Sequence, residues 1–232
     1  MSRSWSVPDV PWIMKQNWME AFFLNAPIAA SDLSSIIPSG LNLDLYDNQA
    51  WVSVIPFKMK NVGFNYWPLG FKEFPEVNIR TYVTANNKPG VLFISLDSPH
   101  LFFNKFVRSF VDIPYVDSDI TYTNHGTQSL VHVNRKDFQL HLEIESLNDP
   151  IENKPGSFQH WISERYCFYN MHKGKLTRWN IDHQPWSLFK ANVIRFDFNN
   201  ESLPVDVINF KINPLYSPGV QTKVWYGEKV DS

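Results

Sequence analysis

The sequence predicts an α+β fold built from antiparallel hairpins and a few short helices. Aromatic residues form 16% of the 232 residues, and large aromatic side chains favour strands and lined pockets over long helical bundles. Alternating polar and apolar residues recur along the chain, most regularly from Phe74 to Val83, and this period of two is typical of strands. Turn-forming residues such as Asp47 and Asn48 separate the runs, which indicates hairpins.

Helices are expected at three places. Apolar residues at helical spacing predict a helix from Lys15 to Leu24, and a second, short helix begins with Ser31 as N-cap and ends before Pro38. A third, amphipathic helix begins at Ser98 and ends at Pro114.

Strands account for most of the remaining chain. The first two predicted strands form a hairpin, and Ser157 caps a helical turn before the later ones. The predicted strands span Leu41–Tyr46, Ala50–Met59, Phe74–Ala85, Val91–Leu96, Ile120–Asn124, Ser129–Arg135, Phe138–Ser146, Arg165–Met171, Leu176–Ile181, Ala191–Phe198, Val205–Ile212 and Val220–Tyr226. We find neither a repeat nor a linker, so residues 1–232 are expected to form one domain.

Composition excludes several classes of protein. The net charge of −2 provides no electrostatic surface for nucleic acid, and no segment has the roughly 20 apolar residues needed to cross a bilayer. The single cysteine, Cys167, cannot form an internal disulfide, and the N-terminal residues lack the apolar run of a signal peptide. We therefore expect a cytoplasmic protein; the sequence leaves open whether it forms oligomers.

The strand from Phe74 to Val83 carries the main candidate site. Its alternation places Glu76, Asn78, Arg80 and Tyr82 on one face. Four such groups need polar partners, and a cavity with water or ligand supplies these more readily than a dry core. Glu76 with Arg80 is either an acid beside a guanidinium that binds an anionic ligand or a structural ion pair.

Several ordered blocks along almost the whole chain resemble the YqjF-like family of bacterial proteins. The blocks are Trp18–Pro27, Ile37–Leu41, Trp51–Phe57, Glu76–Val83, Gly90–Asp97, Ile113–Tyr115, Ser163–Tyr166 and His183–Trp186. That family is similar to the acetoacetate decarboxylase-like superfamily. The resemblance implies a closed or cone-shaped, barrel-like antiparallel sheet around a central cavity for a small molecule.

The same resemblance argues against decarboxylation through an imine. The decarboxylases have a Pro-Lys-Lys motif whose lysine forms the Schiff base, whereas this chain has Pro114-Tyr115-Val116 at the best matching position. Glu76 matches the pocket glutamate of those enzymes. YqjF-like sequences typically have His-Trp where this chain has Asn25-Ala26.

Three further residues are candidates near the end of the chain. Glu164 is either a pocket residue or part of an ion pair at a helix end. His183 is either a general acid or base or a cap for the turn before Pro185, and Trp186 is expected in the pocket wall.

Metal and cofactor chemistry have little support. His132, His141 and Glu143 alternate on strands without the spacing of a metal motif, and no phosphate loop or dinucleotide fingerprint is present. We therefore expect neither a metal nor a cofactor.

The sequence leaves three functions open: a small-molecule-binding domain without a Schiff-base lysine, an acid/base enzyme acting on a carbonyl or carboxylate compound, and a non-catalytic scaffold.

Overall fold

The computed structural model describes residue 3 and residues 5–66, 70–201 and 212–230. Three short helices accompany a set of mostly antiparallel strands. The helices are α1 (Ala30–Leu33), α2 (Leu101–Val111) and α3 (Phe158–Ser163). The strands are β1 (Met14–Ile28), β2 (Asn42–Leu43), β3 (Ala50–Phe64), β4 (Gly70–Phe71), β5 (Phe74–Ala85), β6 (Lys88–Ser98), β7 (Tyr115–Asp117), β8 (Asp119–His125), β9 (Gln128–Arg135), β10 (Phe138–Ile151), β11 (Cys167–His172), β12 (Lys175–His183), β13 (Leu188–Asn200), β14 (Ile212–Val224) and β15 (Glu228–Lys229).

A ring of strands organises the sheet. The order along the ring is β12–β11–β6–β5–β3–β1–β14, and pairing of β12 with β14 closes it. Beyond β14 the sheet continues through β13, β10, β9 and β8. The predicted mainly antiparallel, closed architecture with few helices is confirmed. Parallel pairing joins β6 to β11 and to β7.

Two apolar cores lie on opposite faces of β5. One core lines the inside of the ring and contains Tyr82 together with aromatic residues of α2, β11 and β12. The other includes Val77 and Ile79 of β5 and packs against side chains of β8, β9 and β10. Because β5 is buried on both faces, its polar residues cannot reach bulk solvent and must find partners inside the protein.

The parallel contact between β6 and β11 depends on a glycine. A Cβ atom at Gly90 would lie 2.6 Å from Sγ of Cys167 and 2.7 Å from the carbonyl oxygen of the same residue. Neither contact is sterically allowed, so a side chain at position 90 would push β11 away from β6 and open the ring.

The predicted helix from Lys15 to Leu24 is wrong, because this segment belongs to β1. Its alternation is broken at Glu20, which has a φ of 54°, and the pairing of β1 with β3 shifts in register between Met19 and Leu24. An irregular strand of this kind can place apolar residues at spacings that resemble those of a helix.

Two smaller corrections concern neighbouring elements. The expected hairpin between residues 41–46 and 50–59 does not form, since β2 pairs with β5 and the turn is closed by a bridge between Tyr46 and Gln49. Helix α2 is capped by His100 rather than by Ser98.

The expected N-cap at Ser31 is also wrong, because α1 begins at Ala30, its N-cap is Ala29, and it ends at Leu33. Several other elements agree with the sequence. β5 has the predicted bounds, Ser157 caps α3, and β11 pairs with β12 as expected. Apart from Ile212, the predicted strand 205–212 lies outside the described residues. No helix among the described residues is long and apolar enough to span a membrane.

Candidate functional site

A cavity of about 500 Å³ lies inside the ring. Three of its lining residues, Glu76, Asn78 and Arg80, lie on the inner face of β5. We call these three residues the polar row. They are only 2%, 6% and 8% exposed. Within the described residues, the rest of the lining is mainly apolar and comes from β1, β3, α2, β11 and β12.

Glu76 and Tyr115 form a hydrogen-bonded pair at one end of the polar row. The Tyr115 hydroxyl donates to Oε2 of Glu76 over 2.7 Å. Burial raises the pKa of Glu76 to about 8, the Tyr115 hydrogen bond opposes this rise, and the charge of Asp97 adds to it. Burial and the nearby Glu76 carboxyl also raise the pKa of Tyr115 well above its usual value. At neutral pH, Glu76 is therefore mainly a neutral carboxylic acid inside the cavity.

Arg80 is a buried cation that has no carboxylate partner among the described residues. Its Nη2 donates to the carbonyl oxygen of Ile162 over 2.9 Å, whereas Nε is buried without a hydrogen-bond partner in the described protein. Its guanidinium carbon lies 5.8 Å from the ring centroid of Phe23 and 5.6 Å from that of Tyr82. Because neighbouring aromatic rings supply only weak attraction to a cation, Arg80 remains able to bind an anion.

The alternative of a structural ion pair between Glu76 and Arg80 is not found among the ion pairs of the described residues, where each side chain has another partner. Alternate residues of a strand lie on one face but are separated by about 3.3 Å per position, so four positions span about 13 Å. A structural ion pair therefore does not explain why either residue is buried.

Several buried polar atoms around the cavity have no protein partner among the described residues. Gln16 and Trp18 of β1 line the cavity together with Asn78 and Arg80. The unpartnered atoms are Oε1 of Gln16, Nε1 of Trp18, Oδ1 of Asn78 and Nε of Arg80. Buried donors and acceptors are almost always satisfied in folded proteins. Water or ligand in the cavity can bond to both the donors and the acceptors of this set.

Tyr82 is not among the cavity-lining residues. Its hydroxyl lies 2.5 Å from Oγ of Ser53, which donates to Oδ1 of Asn25 over 2.6 Å. The Tyr82 ring packs on Trp161 with a centroid distance of 4.4 Å. Tyr82 and Asn25 thus belong to a buried polar network beside the cavity.

Trp186 is part of the cavity wall, whereas Glu164 and His183 are not. Glu164 accepts hydrogen bonds from the Trp186 backbone N–H, over 3.0 Å, and from Asn153, over 2.8 Å. Nδ1 of His183 lies 2.8 Å from the carbonyl oxygen of Gln184, and burial lowers the pKa of His183. The structure therefore brings Glu76, Asn78, Arg80, Tyr115 and Trp186 together and leaves Tyr82, Glu164 and His183 outside the lining.

Sequence reasoning missed Gln16 and Trp18, which face the cavity from β1. Their spacing of two residues was a usable signal, but the apolar residues that follow suggested a helix. It also missed the contribution of α2. Phe103, Phe106 and Phe110 lie at helical spacings of three and four, line the cavity, and form what we call the aromatic wall.

The described residues contain no group of three or more histidine, cysteine or acidic side chains that could hold a metal ion. The rings of His132 and His141 contact each other with a centroid distance of 4.2 Å, and His141 pairs with Glu143.

The polar row contributes a carboxylic acid, an amide and a guanidinium to the cavity. These groups can bind an anion, donate a hydrogen bond to a carbonyl oxygen and transfer a proton.

Comparison with solved structures places the fold in the acetoacetate decarboxylase-like class. Acetoacetate decarboxylase from Legionella pneumophila matches with a TM-score of 0.66 and 10% identity, covering 98% of this chain and 93% of the other. The enduracididine biosynthesis enzyme MppR, in complex with pyruvate, matches with a TM-score of 0.63 and 8% identity, covering 98% and 93%. At these identities the likeness establishes the fold alone.

Sequence comparison assigns the family. The model of DUF2071, described as an uncharacterized conserved protein, matches residues 15–221. The uncharacterized protein YqjF of Bacillus subtilis is 37% identical over 192 residues, which cover 80% of this chain and 79% of the relative. The chain belongs to the DUF2071 family, and the resemblance to YqjF-like proteins is confirmed.

Proposed function

We propose that this protein binds a small carboxylate or carbonyl compound in the ring cavity, with Arg80 as the partner of the ligand's anionic group. The observation that carries this proposal is a buried guanidinium that lines a cavity, has an unpartnered Nε, and forms no ion pair with a described carboxylate. A buried cation is costly when it is unpaired, and an anionic ligand removes that cost.

The rest of the polar row can contact the same ligand. Neutral Glu76 has a hydroxyl to donate to a carbonyl oxygen, and Oδ1 of Asn78 is an unused acceptor. The structurally similar enzyme MppR was solved in complex with pyruvate, which is both a carboxylate and a ketone. This supports an acidic or carbonyl ligand, although the low sequence identity does not transfer the ligand itself.

The described cavity lining contains no buried lysine that could form an imine with a ligand. The residue that matches the Schiff-base position is Tyr115, and its hydroxyl is engaged with Glu76. Lys173, the lysine of the described cavity lining, is exposed at the rim. An amine becomes nucleophilic when it is desolvated or lies beside another cation, and exposed Lys173 is not desolvated.

A thermal-shift screen of carboxylates and phosphates tests the proposal. A ligand present at 100 times its Kd stabilises the folded state by about 2.7 kcal/mol, which corresponds to a rise in Tm of about 5–10 °C for a domain of this size. We expect such shifts with carboxylates for the unmodified protein and their loss in Arg80→Met.

Arg178→Met is the matched control, because Arg178 pairs with Glu228 and is not among the cavity-lining residues. This variant should keep the ligand-induced shift whatever its own Tm. If the ligand stabilises the unmodified protein and Arg80→Met equally, Arg80 does not contact the ligand.

The raised pKa of Glu76 also supports a second candidate, an acid/base enzyme acting on the same class of compound. An acid with a pKa of about 8 is suited to proton transfer near neutral pH. Under this hypothesis the protein accelerates exchange of the protons next to the carbonyl group of a bound keto acid in D2O, as followed by NMR. Glu76→Gln should abolish that acceleration while keeping ligand binding; exchange at the solution rate with the unmodified protein would reject the enzymatic function.

A further inference from the structure

We propose that the ligand is an amphiphilic carboxylic acid, whose head group contacts the polar row and whose aryl or medium-length alkyl tail lies along the aromatic wall of α2. This inference rests on the proposed function, because it assigns a shape to the ligand of the same cavity.

The size of the cavity is the first argument. Its volume of about 500 Å³ lies within the range of about 300–1,000 Å³ that is typical of pockets for drug-sized molecules. A keto acid of three or four carbons would leave most of this space to water, next to walls that are mainly apolar. A ligand with an apolar tail fills the space and gains about 25 cal/mol for each Å² of apolar surface that it buries.

The distribution of polar groups is the second argument. The unpartnered polar atoms belong to β5 and β1, with the Glu76–Tyr115 pair at one end of the row. Phe168 and Trp179 line the cavity from β11 and β12 and stack with an interplanar angle of 2°. In the ring, β5 and β1 flank β3. A cavity whose unpartnered polar atoms lie on these two strands, with further aromatic groups on α2, β11 and β12, matches a molecule with one polar and one apolar end.

The aromatic wall sets the length and direction of the tail. The Phe103 ring lies 5.4 Å from the Tyr115 ring, so this end of the wall begins beside the Glu76–Tyr115 pair. Phe103 is 1% exposed, whereas Phe110 is 53% exposed. At 1.5 Å per residue, the step of seven positions from Phe103 to Phe110 extends about 10 Å along the helix. The wall therefore leads from the buried acid to the surface.

The rim of the cavity continues this apolar path. Tyr66 and Tyr226 line the cavity together with Phe110, and they are 59% and 65% exposed. Exposed aromatic side chains gathered at an opening are characteristic of sites that bind apolar groups. The tail therefore points toward this opening, and the carboxylate head lies inside.

Calorimetric titration with three acids tests the shape. Pyruvate, phenylpyruvate and octanoate share a carboxylate but differ in the tail. We expect phenylpyruvate and octanoate to bind with a Kd at least about tenfold below that of pyruvate. Pyruvate binding as tightly as the other two would overturn the inference but leave the proposed function standing. If none of the acids binds, both fail.

A variant that fills the tail region gives an independent test. Val107 lines the cavity from α2 and is 3% exposed, so Val107→Trp places a large side chain in the proposed path. We expect phenylpyruvate affinity to fall at least about tenfold and pyruvate affinity to stay within about twofold. Phe102→Trp is the matched control, because Phe102 lies on the exposed side of the same helix outside this cavity; it should leave both affinities unchanged.

If Val107→Trp does not fold, Phe110→Ser at the rim replaces it. This change removes one aromatic contact with the tail and should weaken phenylpyruvate binding about threefold without affecting pyruvate. Equal weakening of the two acids by either variant would overturn the inference, because the tail would then have no separate binding region.

Discussion

Arg80 and Arg165 are both buried arginines, yet their surroundings differ in the feature that matters for function. Arg165 pairs with Asp44, and its guanidinium carbon lies 4.5 Å from the Trp161 ring and 4.9 Å from the Tyr82 ring. Arg80 has no such carboxylate among the described residues and faces the cavity. The comparison separates a cation that holds the fold together from one that is available to a ligand.

The same contrast holds for the buried acids. Asp97 accepts hydrogen bonds from Ser95 and Ser118 and pairs with Arg135 at 3.0 Å. Glu76 has one hydrogen bond, from Tyr115, and borders the cavity. Burial of an acid with several partners is a feature of the scaffold, whereas burial of an acid with one partner beside a cavity is a feature of a site.

The largest expected effect concerns Glu76 and pH. Its pKa rises from 4.5 to about 8 in the folded protein, so the folded state binds this proton more tightly than the unfolded chain does. The resulting stability is present below about pH 4.5 and is lost as the pH rises to about 8. Because each pKa unit corresponds to about 1.4 kcal/mol, the unfolding free energy falls by about 5 kcal/mol at most over this pH range.

Glu76→Gln should remove this part of the pH dependence. In urea denaturation measured from pH 5 to pH 9, the variant should gain stability relative to the unmodified protein as the pH rises. Parallel curves for the two proteins would show that Glu76 titrates as it does in the unfolded chain, and its description as a neutral acid in the cavity would be wrong.

The next effect compares the two arginines directly. Arg165→Met removes the partner of Asp44 and the cation between two aromatic rings, so unfolding free energy should fall by about 3 kcal/mol. Arg80→Met removes an unpaired cation and should change the stability of the ligand-free protein by less than about 1 kcal/mol. Urea denaturation of both variants measures the difference; equal losses would make Arg80 a structural residue.

The smallest effect concerns Tyr115. Tyr115→Phe removes the hydrogen bond to Glu76 and should cost about 1–2 kcal/mol. The pKa of Glu76 should also rise above about 8, because this hydrogen bond lowers it. NMR titration of the Glu76 carboxyl carbon measures that change.

Tyr169→Phe provides the matched control for Tyr115. The Tyr169 hydroxyl donates to the carbonyl oxygen of Lys88 over 2.7 Å and is not among the cavity-lining groups. This variant should lose a similar amount of stability but leave the pKa of Glu76 unchanged. A Glu76 pKa that moves equally in both variants would mean that the Tyr115 hydrogen bond has no specific role.

The sequence predicted the polar row because β5 alternates without interruption. Glu76, Asn78 and Arg80 share one face, and the structure places all three in the cavity wall. The bounds of β5 were also predictable, since turn-forming Asn86 and Asn87 follow it and both have positive φ angles. Regular local patterns thus specified the candidate site.

Features that depend on distant parts of the chain were not predictable in this way. The carbonyl partner of Arg80 comes from Ile162 in α3, and the aromatic wall comes from α2. A period of two shows which residues share a face, but it contains no information about what packs against that face. The irregularity at Glu20 in β1 likewise arises from pairing with its neighbours and hid Gln16 and Trp18.

The pairing of β1 with β14 has a consequence for the order of folding. It joins residues far apart in sequence, as in the hydrogen bond from Thr222 to the carbonyl oxygen of Gln16, which are 206 positions apart. Such non-local contacts form slowly because loop closure precedes any gain in contact energy. While β14 is undocked, the ring is open and water reaches Glu76, so the raised pKa of that side chain requires the closed ring. Protonation of Glu76 near neutral pH therefore indicates that the ring has closed.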